Sequence, residues 1–180
     1  FGQSEHYFAD IRELLMQDFA MSVPADQTYL EMAKQIKTSS SVALHVRWFD
    51  NGDEVHSSNM SLDYYAQAIH QLLAKIGHAH FFIFSDRPEQ TMTLLAPLMR
   101  GMPFTTVCHD AKPSNAEADF WLMRQCRHFI IGNSTFAWWA AWLGEHSQNG
   151  MQIFAPERNV HPAHSVTAWG FHGLLPDRWT

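Results

Sequence analysis

The chain has 180 residues, with 12 Lys+Arg against 18 Asp+Glu and a formal net charge of −6. That length makes one domain, or one lobe of something larger, since domains commonly hold ~100–150 residues. Its 46% hydrophobic and 17% charged fractions exclude disorder, and the acidic balance argues against nucleic-acid binding, which draws on clustered Lys and Arg.

In chain order, residues 4–19 predict a helix whose apolar face is Phe8, Ile11, Leu14/Leu15 and Phe19. Pro24 breaks it, and residues 25–37 carry Leu30, Ala33 and Ile36 on a second helical face. After a polar break, residues 41–47 read as a strand, and a loop rich in Asp, Asn, Gly and Ser runs to Met60. Ser61 N-caps a helix with Leu62, Tyr65, Ile69, Leu72/Leu73 and Ile76 inward, and Gly77 ends it. A short strand at 81–84, a helix at 88–99 and a strand at 104–107 follow. The remainder predicts a helix at 119–126, strands at 129–131 and 151–154, and a Trp-rich helix at 134–145 between them. Short apolar strands alternating with helices imply βαβ units: a Rossmann-like parallel sheet with helices on both faces.

The two cysteines, Cys108 and Cys126, form no CxxC and exclude a disulfide scaffold; reduced thiols in the cytoplasm are expected. No apolar run approaches the ~18 residues of a transmembrane helix. Because the chain opens on Phe1 rather than Met, it is expected to be the C-terminal part of a longer protein.

Ligands of such sheets sit at the carboxyl ends of the strands. Alternation puts Ala43, His45 and Arg47 on one face of the first strand, and a partly buried guanidinium there needs an anion. A phosphate and a protein carboxylate satisfy it equally. The second strand ends at Ser85 and Asp86, which can cap the next helix or accept hydrogen bonds from a sugar or base. At the third end, Gly132 permits close backbone approach. Asn133, Ser134 and Thr135 supply donors, and Phe136 opens a helix whose N-terminus suits a phosphate. Neither GxxxxGK[ST] nor GxGxxG occurs. Jointly, the three ends point to a phosphate-bearing ligand, a nucleotide derivative.

Several segments resemble known motifs. His45-Val46-Arg47-Trp48-Phe49-Asp50 is similar to HxRRxD, and Ser61-Leu62-Asp63-Tyr64-Tyr65 to SLDYY. Phe82-Ile83-Phe84-Ser85-Asp86 resembles FxFSD. Asp119-Phe120-Trp121-Leu122-Met123, Cys126-Arg127-His128 and the stretch from Asn133-Ser134-Thr135-Phe136 to Trp142-Leu143 resemble DxxLM…CKH…NSTFSWWxAWL. Gln3-Ser4-Glu5 near the start and Leu175-Pro176-Asp177-Arg178-Trp179 near the end also match. In this order the segments resemble the bacterial α-1,2-fucosyltransferases of glycosyltransferase family 11.

That resemblance implies the donor-binding lobe of a two-lobed GT-B glycosyltransferase. Residues 1–40 would lead in from the acceptor lobe, and residues 41–180 would form the GDP-fucose-binding lobe. It implies inverting transfer of L-fucose from GDP-β-L-fucose to a hydroxyl, the 2-OH of a β-galactoside, with no cofactor and no essential metal. Arg47 would hold the β-phosphate, with His45 supporting its pocket. Ser134 and Thr135, flanked by Asn133 and Phe136, would bind the diphosphate. Asp119 would face the guanine, and Ser85 and Asp86 would line the nucleotide-sugar site. Asp50 is the first choice for the base that deprotonates the acceptor, ahead of Glu54 and His56. The acceptor would be a galactose-terminated oligosaccharide or lipid-linked glycan, met in the cytoplasm at the inner face of the membrane. Two alternatives stand beside this reading: a non-catalytic nucleotide-sugar-binding fragment, and a transferase using another GDP-sugar. Trp48 departs from the motif's second Arg.

Other residues carry less. His78 with His80, and His161 with His164, lack further ligands at metal spacing. Trp138, Trp139 and Trp142 read as core rather than sugar platforms, whereas Trp169 and Trp179 have the better claim to an acceptor surface.

Overall fold

The computed structural model describes residues 4–50, 59–107, 115–145, 150–157 and 173–180. Five parallel strands form one sheet: β1 (Ser41–Val46), β2 (His80–Ser85), β3 (Phe104–Val107), β4 (His128–Ile130) and β5 (Ile153–Phe154), in the order β3-β2-β1-β4-β5. The register sets His45 opposite Phe84 and Leu44 opposite both Ile83 and Ile130. Successive strands step outward from β1 to β3, and the chain then crosses to β4 on the far side of β1. The order therefore reverses between β1 and β4, and the crevice beyond their carboxyl ends is where such sheets hold ligands.

Strand alternation divides the core. Val42, Leu44, Val46, Phe81, Ile83 and Ile130 face α3 (Leu62–Ile76) and α4 (Pro88–Leu95), burying Tyr65, Ile69, Leu72 and Leu95. Ala43, Phe82, Phe84 and Phe129 face the opposite way, toward α2 (Gln27–Thr38), α5 (Ala116–Met123) and α6 (Thr135–Glu145). Side-chain caps fix three of the helix starts: Asp26 accepts from the Thr28 N–H, Ser61 from Tyr64 and Asn115 from Ala118. Gly77 closes α3 at φ 80°, a conformation that costs glycine little.

Three elements differ from the sequence reading. Residues 4–19 are not one helix; two 3₁₀ turns, Glu5–Tyr7 and Ala9–Ile11, precede α1 (Arg12–Asp18). Phe8 turns inward between Trp138, Trp139 and Trp142, which interrupts the ladder, while Ile11 and Leu14 of the expected apolar face stay exposed. Helix α4 stops at Leu95 rather than Met99, because Pro97 has no N–H to continue it. Helix α5 starts at Ala116, three residues before Asp119, behind its Asn115 cap. No helix among the described residues is long and apolar enough to cross a membrane.

Candidate donor-binding site

Arg47 follows β1 directly, and its guanidinium pairs with Asp86 beyond β2 at 3.1 Å (Nη1 to Oδ2). The other Asp86 oxygen accepts the Trp48 backbone N–H at 3.1 Å. Asp86 thus ties the ends of β1 and β2 together and does not cap α4, whose N-cap is Arg87 without a side-chain cap bond. Ser85 accepts from the Arg87 N–H at 3.0 Å and shares a hydrogen bond with Thr91 at 2.7 Å. His45, two residues before Arg47, is 6% exposed, and among the described residues its Nδ1 has no hydrogen-bond partner. Burial, reinforced by the Arg47 charge, pushes the imidazole down to about 3, so His45 is neutral near pH 7.

From the other side of the switch point, Asn133 and Ser134 are buried where the chain leaves β4, and Thr135 and Phe136 open α6. Ser134 supplies the backbone carbonyl for the Trp138 N–H, and its hydroxyl lies 3.5 Å from the Ala137 N–H. The N-terminus of this 11-residue helix, with its partial positive charge of roughly half a unit, therefore faces the same space. Asp119 reaches it from α5, held by the Tyr29 hydroxyl at 2.9 Å.

Together these groups line a cavity of about 440 Å³. It gathers His45, Arg47, Ser85, Asp86, Asp119, Asn133, Ser134, Thr135 and Phe136 from the sequence reading, with Phe49, Phe84 and Ala116 added. Asp50 is not among the lining residues. Its carboxylate accepts from the Asn59 amide at 2.8 Å, and its carbonyl accepts from Arg87 at 3.2 Å. Glu54 and His56 lie outside the described residues.

Gly132 has a different reason for being glycine than the one expected. It does not line the cavity; a Cβ there would stand 3.3 Å from the Tyr65 hydroxyl and 3.5 Å from the His45 carbonyl. That hydroxyl donates to the same carbonyl at 3.3 Å, and the Gly132 N–H donates to it at 3.2 Å. Tyr64 donates to the carbonyls of Ile131 and Phe154. The paired tyrosines of the SLDYY segment thus fasten the ends of β1, β4 and β5 from below. The sequence places Ser61 as the cap and Tyr65 on the inward face of α3, as found, but not these two hydroxyl contacts, since a hydroxyl's partner across the fold leaves no local signal.

The position of Trp48 also becomes clear. Arg47 and Phe49 line the cavity, but Trp48 packs against the α3–α4 side of the core and donates its indole N–H to Thr91 at 2.8 Å. Among the other tryptophans, Trp138 and Trp142 are fully buried. Trp139 is half-buried in a neighbouring cavity of about 470 Å³ that shares Thr135 and Phe136 with the first. Trp179 is not an open surface: it is 9% exposed, packs on Trp138 and donates to Glu145 at 3.3 Å. Trp169 lies outside the described residues, as do His161, His164 and Cys108. His80 bonds Thr105 at 2.9 Å, and no group of three or more His, Cys, Asp or Glu among the described residues could hold a metal. Cys126 is a buried free thiol.

Fold and site define a Rossmann-like α/β domain with a polar cavity and a helix N-terminus at its switch point, an arrangement suited to phosphate-bearing ligands. A family model described as Glycosyl transferase family 11 matches residues 1–165, and the chain belongs to that family. An alpha-1,2-colitosyltransferase of Escherichia coli is 28% identical over 148 residues, covering 79% of this chain and 49% of the relative. The O-antigen biosynthesis glycosyltransferase WbnK of Escherichia coli is 29% identical over 111 residues, covering 59% of this chain and 35% of the relative. The chain thus spans half or less of the curated relatives it matches. Among solved structures, POFUT1 in complex with GDP-fucose gives a TM-score of 0.45 at 15% identity, over 71% of this chain and 46% of that one.

Proposed function

We propose that residues 41–180 are the donor lobe of a GT-B glycosyltransferase, with residues 1–40 leading in from an acceptor lobe. The reaction is inverting transfer of L-fucose from GDP-β-L-fucose to the 2-OH of a β-galactoside. The acceptor is a galactose-terminated oligosaccharide or lipid-linked glycan at the cytoplasmic face of the membrane. One observation carries this reading: the ends of β1, β2 and β4 and the first turns of α5 and α6 deliver Arg47, Asp86, Asn133, Ser134, Asp119 and Thr135 to a single cavity. In it, Arg47 forms charge-assisted bonds to the diphosphate, whose other oxygens take the first-turn N–H groups of α6. Departure of GDP builds negative charge on the same oxygens, and these fixed positive groups stabilise it without a metal. Asp119 takes the guanine edge. Asp50, next to the lining residue Phe49, is put forward as the base that takes the acceptor hydroxyl proton.

Calorimetry of the chain with GDP tests the donor site. Binding should weaken by one to two orders of magnitude in Arg47→Ala, the usual weight of a hydrogen bond to a charged group. A folded sample that ignores GDP, or an Arg47→Ala variant that binds equally, refutes the reading. Fucosyl transfer to lactose by the full-length protein tests the reaction, and GDP binding without transfer to several acceptors favours a non-catalytic nucleotide-sugar module. A second reading has a specific support. The relative at 28% identity is named for colitose, so a donor carrying that sugar in place of fucose belongs in the same assay.

A further inference from the structure

Tyr29 is the third residue of α2, 90 positions before Asp119 in the chain, and it is 3% exposed. Its ring packs in the core shared with α5 and α6, a task that phenylalanine performs equally well. The hydroxyl is the added feature, and it donates to Asp119 Oδ1 at 2.9 Å. A buried hydroxyl without an acceptor is costly, so the bond has structural value of its own. Asp119, however, is a cavity residue. A carboxylate there, left to itself, loses rotamer freedom on meeting a ligand; one already fixed by a buried donor has lost it beforehand.

We propose that Tyr29 is a positioning residue for nucleobase selectivity, orienting the Asp119 carboxylate toward the paired imino and amino N–H donors of a 2-aminopurine base. The inference rests on the donor-site reading above. Its chemistry is directional. Guanine offers a carboxylate two adjacent donors, hypoxanthine one, and adenine presents a ring acceptor at the equivalent position. A rotated carboxylate keeps its charge but loses the two-point match, so selectivity falls more than general affinity. Burial, with the neighbouring Asp119 carboxylate, raises the Tyr29 phenol above its usual range, so it remains a donor at any working pH.

The test is calorimetric titration of the chain with GDP, inosine diphosphate, ADP and inorganic pyrophosphate. Pyrophosphate carries the charge without the base. Unaltered protein should prefer GDP to inosine diphosphate by roughly tenfold, one hydrogen bond to a charged group. Tyr29→Phe should lower that preference about three- to fivefold while leaving pyrophosphate affinity within about twofold. Asp119→Asn, which keeps an oxygen for Tyr29 but substitutes a donor for an acceptor, should abolish the preference; it holds the test open if Tyr29→Phe folds poorly. An unchanged GDP preference in a folded Tyr29→Phe, or an equal loss for all four ligands, overturns the inference. So does unaltered protein that binds GDP and pyrophosphate but does not discriminate between bases; the donor site then stands. Failure to bind either GDP or pyrophosphate refutes the donor site itself, and this inference with it.

Discussion

Replacing Arg178 by alanine should loosen the whole domain, because this one guanidinium joins the two ends of the chain. Its Nε and Nη2 reach Glu145 at 2.7 Å each, and Nη1 and Nη2 reach Glu5 at 2.8 and 2.9 Å. The carboxylates are 16% and 15% exposed, the guanidinium 39%. Exposed ion pairs contribute about 0–1 kcal/mol and breaking buried ones costs about 3–5 kcal/mol. With the arginine screened, and with Trp142 and Trp179 still donating to Glu5 and Glu145, about 2 kcal/mol is expected. For a domain of this size that lowers Tm by about 4–8 °C. Acid gives an internal control. The bond from Arg178 holds the Glu5 carboxyl below its ordinary value of 4.5, so its stabilisation is complete above that value and is lost as pH falls through the lowered one. The gap between unaltered protein and Arg178→Ala should therefore be constant from pH 7 to about 5 and narrow below about 4. Thermal melts followed by circular dichroism at pH 7, 5 and 3.5 measure both quantities. A variant melting within about 1 °C of the parent, or a gap indifferent to acid, refutes the reasoning.

Gly132→Ala should destabilise by about 1 kcal/mol, since its Cβ meets the Tyr65 hydroxyl at 3.3 Å. In a double-mutant cycle by urea unfolding, Tyr65→Phe should recover part of that loss, and strict additivity would refute the contact. His45, held down to about 3 by burial and then by Arg47, binds no proton in the fold over a range where the unfolded chain does. Its contribution to stability therefore falls as pH drops below about 6.5, by at most about 1.4 kcal/mol per unit, and melts of His45→Gln should show a shallower decline than the parent. Trp48→Arg, which writes the family's second arginine into the motif, should cost about 1–2 kcal/mol through lost packing and the lost bond to Thr91. It should leave the GDP dissociation constant within about twofold, because position 48 faces away from the cavity. A large gain in affinity would contradict that geometry.

The parallel sheet was legible because its strands are short, apolar and separated by helices with readable caps; Ser61 and Gly77 bound α3 where the sequence put them. The cavity residues were legible for a related reason. His45 and Arg47 interrupt an apolar strand, and polar residues at a strand's carboxyl end have few uses other than a ligand or a partner. What stayed hidden depends on contacts distant in sequence. Nothing near Tyr29 announces Asp119, and nothing near Glu5 announces Arg178, although both end segments resemble family motifs. Period alone misled at residues 4–19, where Ile11 and Leu14 match a helical face but Phe8 is drawn elsewhere by three tryptophans. The likeness of Trp179 to a surface platform failed for the same reason: an irregular tail can still be core.

Charge then decides how such a site can work. The ionised side chains lining the cavity are Arg47, Asp86 and Asp119, one positive against two negative, in a chain of net charge −6. His45 adds nothing, being neutral. On the proposed reading a diphosphate is not drawn in by overall potential, and its binding would rest on direction: a guanidinium already oriented by Asp86, and helix N–H groups whose positive ends point one way. The carboxylates, by the same reasoning, are not mere liabilities. Asp86 fixes Arg47 against the backbone of Trp48, and Asp119 is fixed by Tyr29. Each carboxylate in the cavity is committed to a protein donor, and on the proposed reading that commitment would hold its charge where a nucleotide meets it with N–H groups rather than phosphate oxygens.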